Sequence, residues 1–330
     1  MKKRVLAILM FASCVCFFSS CNKAEDDLVQ VETTQVTTPG EYHDFMHSLD
    51  SLNALYLSNA SMTRGNSLVQ YGAGHITEKL ADSAGNIVGG QIGKNIGCAL
   101  GSLFGNPVTA IGGYVVGRYV GRVAGSFLCS YAANVITNAF FRSRAFAGDT
   151  LNDDYYIPEN YIDVNDSVGY YHNLAMTELY ENRNKYFLSN GDLNYDLIYD
   201  DLVVVLRANG FADQGMLDDA ELKASVISYT KVNVKYIKEY NSGTLSTDEY
   251  HSKLVEDMKQ RGLPEESVVA FSDFAKEVVE TTSLLSNDDK KDYADDVNAM
   301  IQKSALDDSL KEEMRATTNM IVNSSICYEN

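Results

Sequence analysis

The sequence predicts an all-α protein: an N-terminal amphipathic helix, a glycine-zipper antiparallel helical hairpin and a C-terminal helical bundle. Three observations carry this. Apolar residues recur three and four apart in most segments after residue 38. Ten glycines fall on two stripes with a spacing of four. No run of alternating strand residues competes.

The chain opens with Lys2, Lys3 and Arg4, then an apolar stretch from Val5 to Phe18 in which Ser13 is the only polar residue. That stretch is shorter than the roughly 20 residues of a membrane span and suits a signal peptide. It ends in Phe18-Ser19-Ser20-Cys21, which resembles a bacterial lipobox, with Phe18 where such signals usually carry leucine. The resemblance implies cleavage before Cys21 and acylation of that residue, so membrane lipid is the first expected partner. Lys23-Ala24-Glu25-Asp26-Asp27 resembles the surface-export signal of Bacteroidetes lipoproteins. The expected location is therefore the cell envelope, at the outer membrane, with surface exposure. Residues 1–21 read as the signal and 22–37 as a disordered polar tether.

Thr38-Pro39-Gly40-Glu41 predicts a helix start, with Thr38 as N-cap, Pro39 at the first helical position and Glu41 closing a capping box. Phe45, Leu49, Leu52 and Tyr56 then mark one face of a helix of about 20 residues. Residues 38–74 hold this helix and a looser connection.

The zipper unit spans 75–148. Gly85, Gly89, Gly93, Gly97, Gly101 and Gly105 are spaced by four, Asn106-Pro107 reads as the turn, and Gly113, Gly117, Gly121 and Gly125 resume the spacing. Each helical glycine costs about 1 kcal/mol relative to alanine. Close backbone approach between two helices is the offsetting gain. Gly85-Asn-Ile-Val-Gly89-Gly90-Gln-Ile-Gly93-Lys94, the Asn106-Pro107 break and Gly113-Tyr-Val-Val-Gly117-Arg118 resemble the glycine-zipper domain of outer-membrane lipoproteins of the surface-antigen type. The resemblance is confined to the hairpin and implies a fold and an envelope location, not an enzymatic activity.

Charge is distributed unevenly. The chain has 27 basic and 45 acidic residues, a formal net charge of −18, and loss of the signal's three cations lowers it to −21. Such a balance argues against nucleic acid as a partner. Ser83 to Gly148 nevertheless contains no acid and five cations: Lys94, Arg118, Arg122, Arg142 and Arg144. With the turn at 106–107, residues whose numbers sum to about 213 lie side by side, so Lys94, Arg118 and Arg122 cluster midway along the hairpin. Three charges at that depth disfavour a lone hairpin spanning lipid. Three arrangements stay open: a homo-oligomer with the cations lining a wet interior, a hairpin on a head-group surface, or a hairpin packed against the acidic part of its own chain. Cys98, Cys129 and Cys327 remain after the signal, an odd number that closes no disulfide framework. A Cys98–Cys129 bond is excluded by the roughly 21 Å between their levels.

Residues 149–330 form the acidic helical unit. An irregular Tyr/Asp/Asn-rich stretch to Asp166 precedes expected helices over 168–187 and 193–208, the second stopped by Asn209-Gly210. Leu222, Val226, Tyr229, Val232 and Tyr236 mark the next. Ser246 to Glu249 forms a capping box before Tyr250, Leu254 and Met258. Val268 to Leu285 alternate three and four without a break. Ser286 caps a helix through Met300, and Leu306 to Ile321 mark the last.

No catalytic constellation emerges. His43 and His47 share a helix face, but Asp44 replaces the glutamate a metalloprotease helix needs. Gly169-Tyr-Tyr-His172-Asn173 resembles a short motif of exported bacterial proteins and names no activity; His172 reads as a packed or capping histidine. Gly89 to Asn95 lacks the first glycine and the hydroxyl of a phosphate loop. Asp192-Leu-Asn194-Tyr-Asp196 has the opening spacing of a calcium loop, but Leu197 replaces its glycine and Val203 its bidentate glutamate. Five Asp-Ser/Thr-apolar triplets, at Asp50, Asp82, Asp149, Asp166 and Asp308, resemble envelope O-glycosylation sites. The sequence thus implies no metal, cofactor, small-molecule substrate or catalytic residue. The expected function is a non-enzymatic envelope lipoprotein whose hairpin serves membrane association or self-assembly. The alternative is a membrane-active toxin or secreted antagonist whose hairpin inserts into a target bilayer.

Overall fold

Capping chemistry sets the boundaries of the first helix. The computed structural model describes residues 37–63, 76–102, 107–141, 151–152 and 154–328. Helix α1 (Pro39–Thr63) begins with the expected box: the Thr38 amide donates to Glu41 Oε2 at 2.7 Å, and the Glu41 amide donates to Thr38 Oγ1 at 3.3 Å. Phe45 and Leu49 are buried, and Tyr56 donates to Asp296 at 2.8 Å.

The hairpin follows as α2 (Ile76–Ser102) and α3 (Pro107–Phe141). Residues 151–152 and 154–163 are irregular, and a 3₁₀ turn (Val164–Ser167) then leads into α4 (Val168–Tyr180). The expected helix over 168–187 therefore stops seven residues early. A second 3₁₀ turn (Arg183–Tyr186) follows, and Phe187 pairs with Leu193 in an isolated antiparallel bridge. That bridge also removes Leu193 from the next helix. Helix α5 (Tyr195–Ala208) starts instead at Asn194, whose side chain accepts from the Leu197 amide at 3.2 Å. It ends at Asn209-Gly210, where Gly210 takes a φ of 81°, open to glycine at little cost.

The remaining helices are α6 (Ala220–Asn241), α7 (Thr247–Gln260), α8 (Glu265–Val269), α9 (Ala275–Thr282), α10 (Asn287–Lys303) and α11 (Asp308–Tyr328). Ser246 and Glu249 form the complete capping box of α7, and Ser286 caps α10. Between α8 and α9 lies a π-helical turn (Ala270–Phe274) where the sequence predicts an unbroken helix. Ala270, Phe271, Phe274 and Ala275 all face the core across this turn.

The C-terminal helices wrap the hairpin. Helix α6 lies on both arms; α7, α9 and α11 cover α2, while α4 and α5 cover α3. Helix α1 packs outside, on α9 and α10. One apolar cluster joins Val120, Val123, Phe127 and Tyr131 of α3 to Met176, Leu202 and Val226. A second joins Ile87 and Val88 of α2 to Phe271, Phe274, Tyr293 and Met314. Both cores are thus shared between hairpin and sheath. The protein is all-α: among the described residues there is no strand beyond the single bridge.

Candidate functional site: the hairpin and its polar supports

Glycine is required where the arms meet. A Cβ on Gly93 would lie 1.9 Å from the Gly117 carbonyl oxygen, and one on Gly97 2.0 Å from that of Gly113. Gly89 faces Gly121 at 2.2 Å and Gly85 faces Gly125 at 2.3 Å by the same measure, while Gly101 meets Thr109. The two stripes therefore face one another inside a single hairpin. Facing glycines have numbers that sum to 210, three fewer than the turn position suggests. Interlocked backbones set the register, not the midpoint of the Asn-Pro break. Gly105, like Cys21, lies outside the described residues.

The corrected register places Lys94 level with Val116, and its ammonium sits 4.8 Å from the Tyr114 ring centre. Arg118 donates to the Tyr114 hydroxyl at 3.4 Å, and both Arg118 and Arg122 reach into the sheath. Glu313 of α11 bridges them: Arg118 donates to its Oε1 at 2.6 Å and Arg122 to its Oε2 at 3.0 Å. Glu312 adds a contact to Arg118 at 2.7 Å, and Ser267 donates to Glu313 at 3.1 Å. Burial alone would raise the Glu313 carboxyl, but Arg122 and Arg118 outweigh it and hold it down at about 2. Arg122 has its Nε and Nη1 without protein partners, and its side chain lies across Gly90, where a Cβ would meet it at 2.8 Å.

Burial changes along the hairpin. Thr77 to Gly90 and Gly117 to Val135 are buried without interruption, whereas from Gln91 to Ser102 and from Thr109 to Val116 exposure recurs. Leu100, Ile111 and Val115 are exposed by 37, 50 and 44 %. The base is sheathed throughout, Ile96 and Val116 still pack against the sheath's core, and exposure increases beyond them. Among the described residues, no helix is long and apolar enough to cross a membrane.

The base carries a second polar cluster that the sequence did not flag. Asp82 accepts a short hydrogen bond from Ser324, and its Oδ2 lies 3.7 Å from His172 Nε2. His172 Nδ1 is 3.0 Å from Asn173 Oδ1. Lys79 donates to Ser283 at 2.9 Å, and Ser130 pairs with the Tyr328 hydroxyl. Burial raises the Asp82 carboxyl well above its ordinary value and Glu78 to about 7, and lowers His172 to about 4. All three therefore favour their neutral forms. Chemically, the order Ser324–Asp82–His172 puts the carboxylate between hydroxyl and imidazole. A nucleophile needs the imidazole in contact with the hydroxyl. His172, Asp82 and Ser324 are fully buried, so the cluster works as a support for the fold.

The other singled-out residues are dispersed. His43 and His47 are exposed on α1. Cys98, Cys129 and Cys327 are buried free thiols, and burial pushes Cys129 up to about 12. Among the described residues no group of three His, Cys, Asp or Glu side chains could hold a metal. Glu312 and Glu313 were missed because nothing local to an acidic helix start reveals which arginines it meets. Asp82 left one signal: it is the last acid before the acid-free stretch. Compared with family models, curated proteins and solved structures, the chain matches none.

Proposed function

We propose that the chain is a non-enzymatic, lipid-anchored protein of the outer membrane whose zipper hairpin mediates membrane association through its projecting tip. The observation that carries this reading is the exposure of Leu100, Ile111 and Val115 on an acid-free segment of an otherwise acidic protein. Apolar side chains clustered at the end of a projecting element suit a lipid surface. The glycine faces are occupied within the hairpin, which favours membrane contact over zipper-driven self-assembly. Acylation at Cys21 would keep the tip close to a membrane, so that weak tip binding becomes effective. The test uses the full chain with Cys21→Ala, which removes the anchor. It floats with anionic vesicles in this account, and adding Ile111→Asp and Val115→Asp abolishes flotation. Equal flotation of both proteins would sink the reading.

A second reading, insertion of the whole hairpin into a target bilayer by a toxin or antagonist, draws support from the base. Thr77, Glu78, Asp82, Ser83 and Asn86 each keep a buried polar atom without a hydrogen bond. Such atoms favour exposure to water. Leakage of vesicle contents on addition of the full chain would support this reading, and intact vesicles would count against it.

A further inference from the structure

We infer that the cleft between α6 and the segment Phe187 to Asp196 binds an acidic oligosaccharide, with one of its carboxylates on Lys231. The cleft measures about 1070 Å³, near the top of the range of about 300–1,000 Å³ usual for small-ligand sites. One wall is the segment 187–196, which its own backbone fixes: the Leu188 amide donates to the Asp192 carbonyl at 2.7 Å, and the Asn194 amide to the Tyr186 carbonyl at 2.7 Å. The other wall is the C-terminal half of α6, from Lys231 to Asn241, about 15 Å of helix. Ile136 of α3, Leu193 and Val234 add apolar lining.

Three features define the ligand's chemistry. The first is cationic: Lys231, Lys235 and Lys238 follow one another a turn apart along the α6 wall, in a chain whose net charge is −18. Lys235 and Lys238 each face a carboxylate at 4.0 Å, that of Glu239 and that of Asp192. Lys231 meets no carboxylate among the described residues, and its ammonium lies 5.5 Å from the Tyr195 ring centre. A ligand carboxylate at Lys231 therefore gains a cation that is not already neutralised. The second is aromatic: Tyr195 and Phe187 line the cleft, and the C–H face of a sugar ring is apolar enough to cover such rings. The third is a buried acceptor. Asn241 is nine-tenths buried and donates through Nδ2 to Thr137 Oγ1 at 3.3 Å, while its Oδ1 has no partner. An unmet acceptor at a cleft calls for a donor, which a sugar hydroxyl supplies and an acyl chain does not. The stretch Asp192-Leu-Asn194-Tyr-Asp196 also finds its place here. It lines the cleft with further acceptors, and its two acids face Lys238 at 4.0 Å and Lys223 at 3.4 Å. Ile136 stands about 44 Å along α3 from Pro107, so even with a membrane at the tip the cleft stays in water.

The probes are tetragalacturonate, a hyaluronan tetrasaccharide and neutral maltotetraose, each titrated calorimetrically into the full Cys21→Ala chain. At least one acidic probe should bind about tenfold more tightly than maltotetraose, and less tightly as salt rises. Lys231→Ala should weaken that binding about tenfold, the loss of one charge-assisted contact, and Lys231→Arg should retain it. Lys231 is exposed, so both variants keep the fold, and an unchanged melting temperature verifies this. Asn241→Leu, which removes the buried acceptor, should weaken the acidic and the neutral probe alike. Failure of both acidic probes to bind, equal affinity for maltotetraose, or unchanged binding by Lys231→Ala overturns the assignment. Palmitate bound in place of the saccharides, and lost in Lys231→Ala, overturns it in favour of an acyl carboxylate. None of these titrations involves vesicles, so their outcome is separate from that of flotation.

Discussion

At the scale of single residues, two glycines of the hairpin should respond in opposite directions to the same substitution. Gly93→Ala sets a methyl group 1.9 Å from a backbone oxygen, and no side-chain movement relieves it. The arms must separate, at a cost of about 3 kcal/mol or more. Gly112→Ala meets nothing within 4 Å, so it gains helix propensity, up to about 1 kcal/mol. Urea unfolding of the two variants measures both effects. Titratable groups at the base give a second prediction. Burial raises Glu78 to about 7, so its protonated form is favoured in the folded state. Its contribution is full below the unfolded value of 4.5 and is lost as pH rises through 7. Glu78→Gln should therefore melt higher than wild type at pH 8, by an equivalent of about 3 kcal/mol at most, with the difference gone near pH 4. His172 opposes this slope: burial holds it at about 4, so its contribution is present above 6.5 and is lost as pH falls through 4.

Helices differ in how fully their sequences announce them. The boxes at Thr38 and Ser246 are local chemistry, and both appear where the residues place them. The glycine stripes were legible because a repeat of four has one economical use, close packing of helices. The π turn at 270–274 was not legible, because the spacing of Val268, Phe271 and Ala275 suits an α-helix equally well. Helix α11 was expected, but its buried polar residues were not: Thr318, Asn319, Asn323, Ser324 and Ser325 all lie inside. Their partners are distant in sequence: Asn319 donates to Asp166 at 2.9 Å, and Asn323 accepts from the Tyr156 amide at 2.9 Å. One-dimensional patterns carry no information about such pairings. The same helix supplies Glu313, and a third prediction belongs here. Glu313→Ala leaves Arg118 and Arg122 buried without that carboxylate and should cost about 3–5 kcal/mol in thermal or urea unfolding. Replacing all three by apolar residues of similar size should recover most of that loss, since a buried ion cluster is offset by its own desolvation. Low pH should mimic Glu313→Ala only in strong acid. Its carboxyl is held at about 2, so its contribution is present above 4.5 and is lost as pH falls through 2.

Across the whole molecule, the hairpin divides into a sheathed base and a projecting tip, and the two proposed functions differ in which part moves. For a tip that meets the membrane surface, the base keeps its contacts with α4, α6 and α11. For whole-hairpin insertion, those contacts break and the orphaned polar atoms of Thr77, Glu78, Asp82, Ser83 and Asn86 reach water. Hydrogen exchange of the Cys21→Ala chain with and without anionic vesicles separates these directly, because exchange reads local opening segment by segment. The account predicts that vesicles slow exchange in residues 95–116 and leave 77–90 and 117–135 unchanged. Faster exchange in those base segments on vesicle binding, or an unaltered tip, would contradict it.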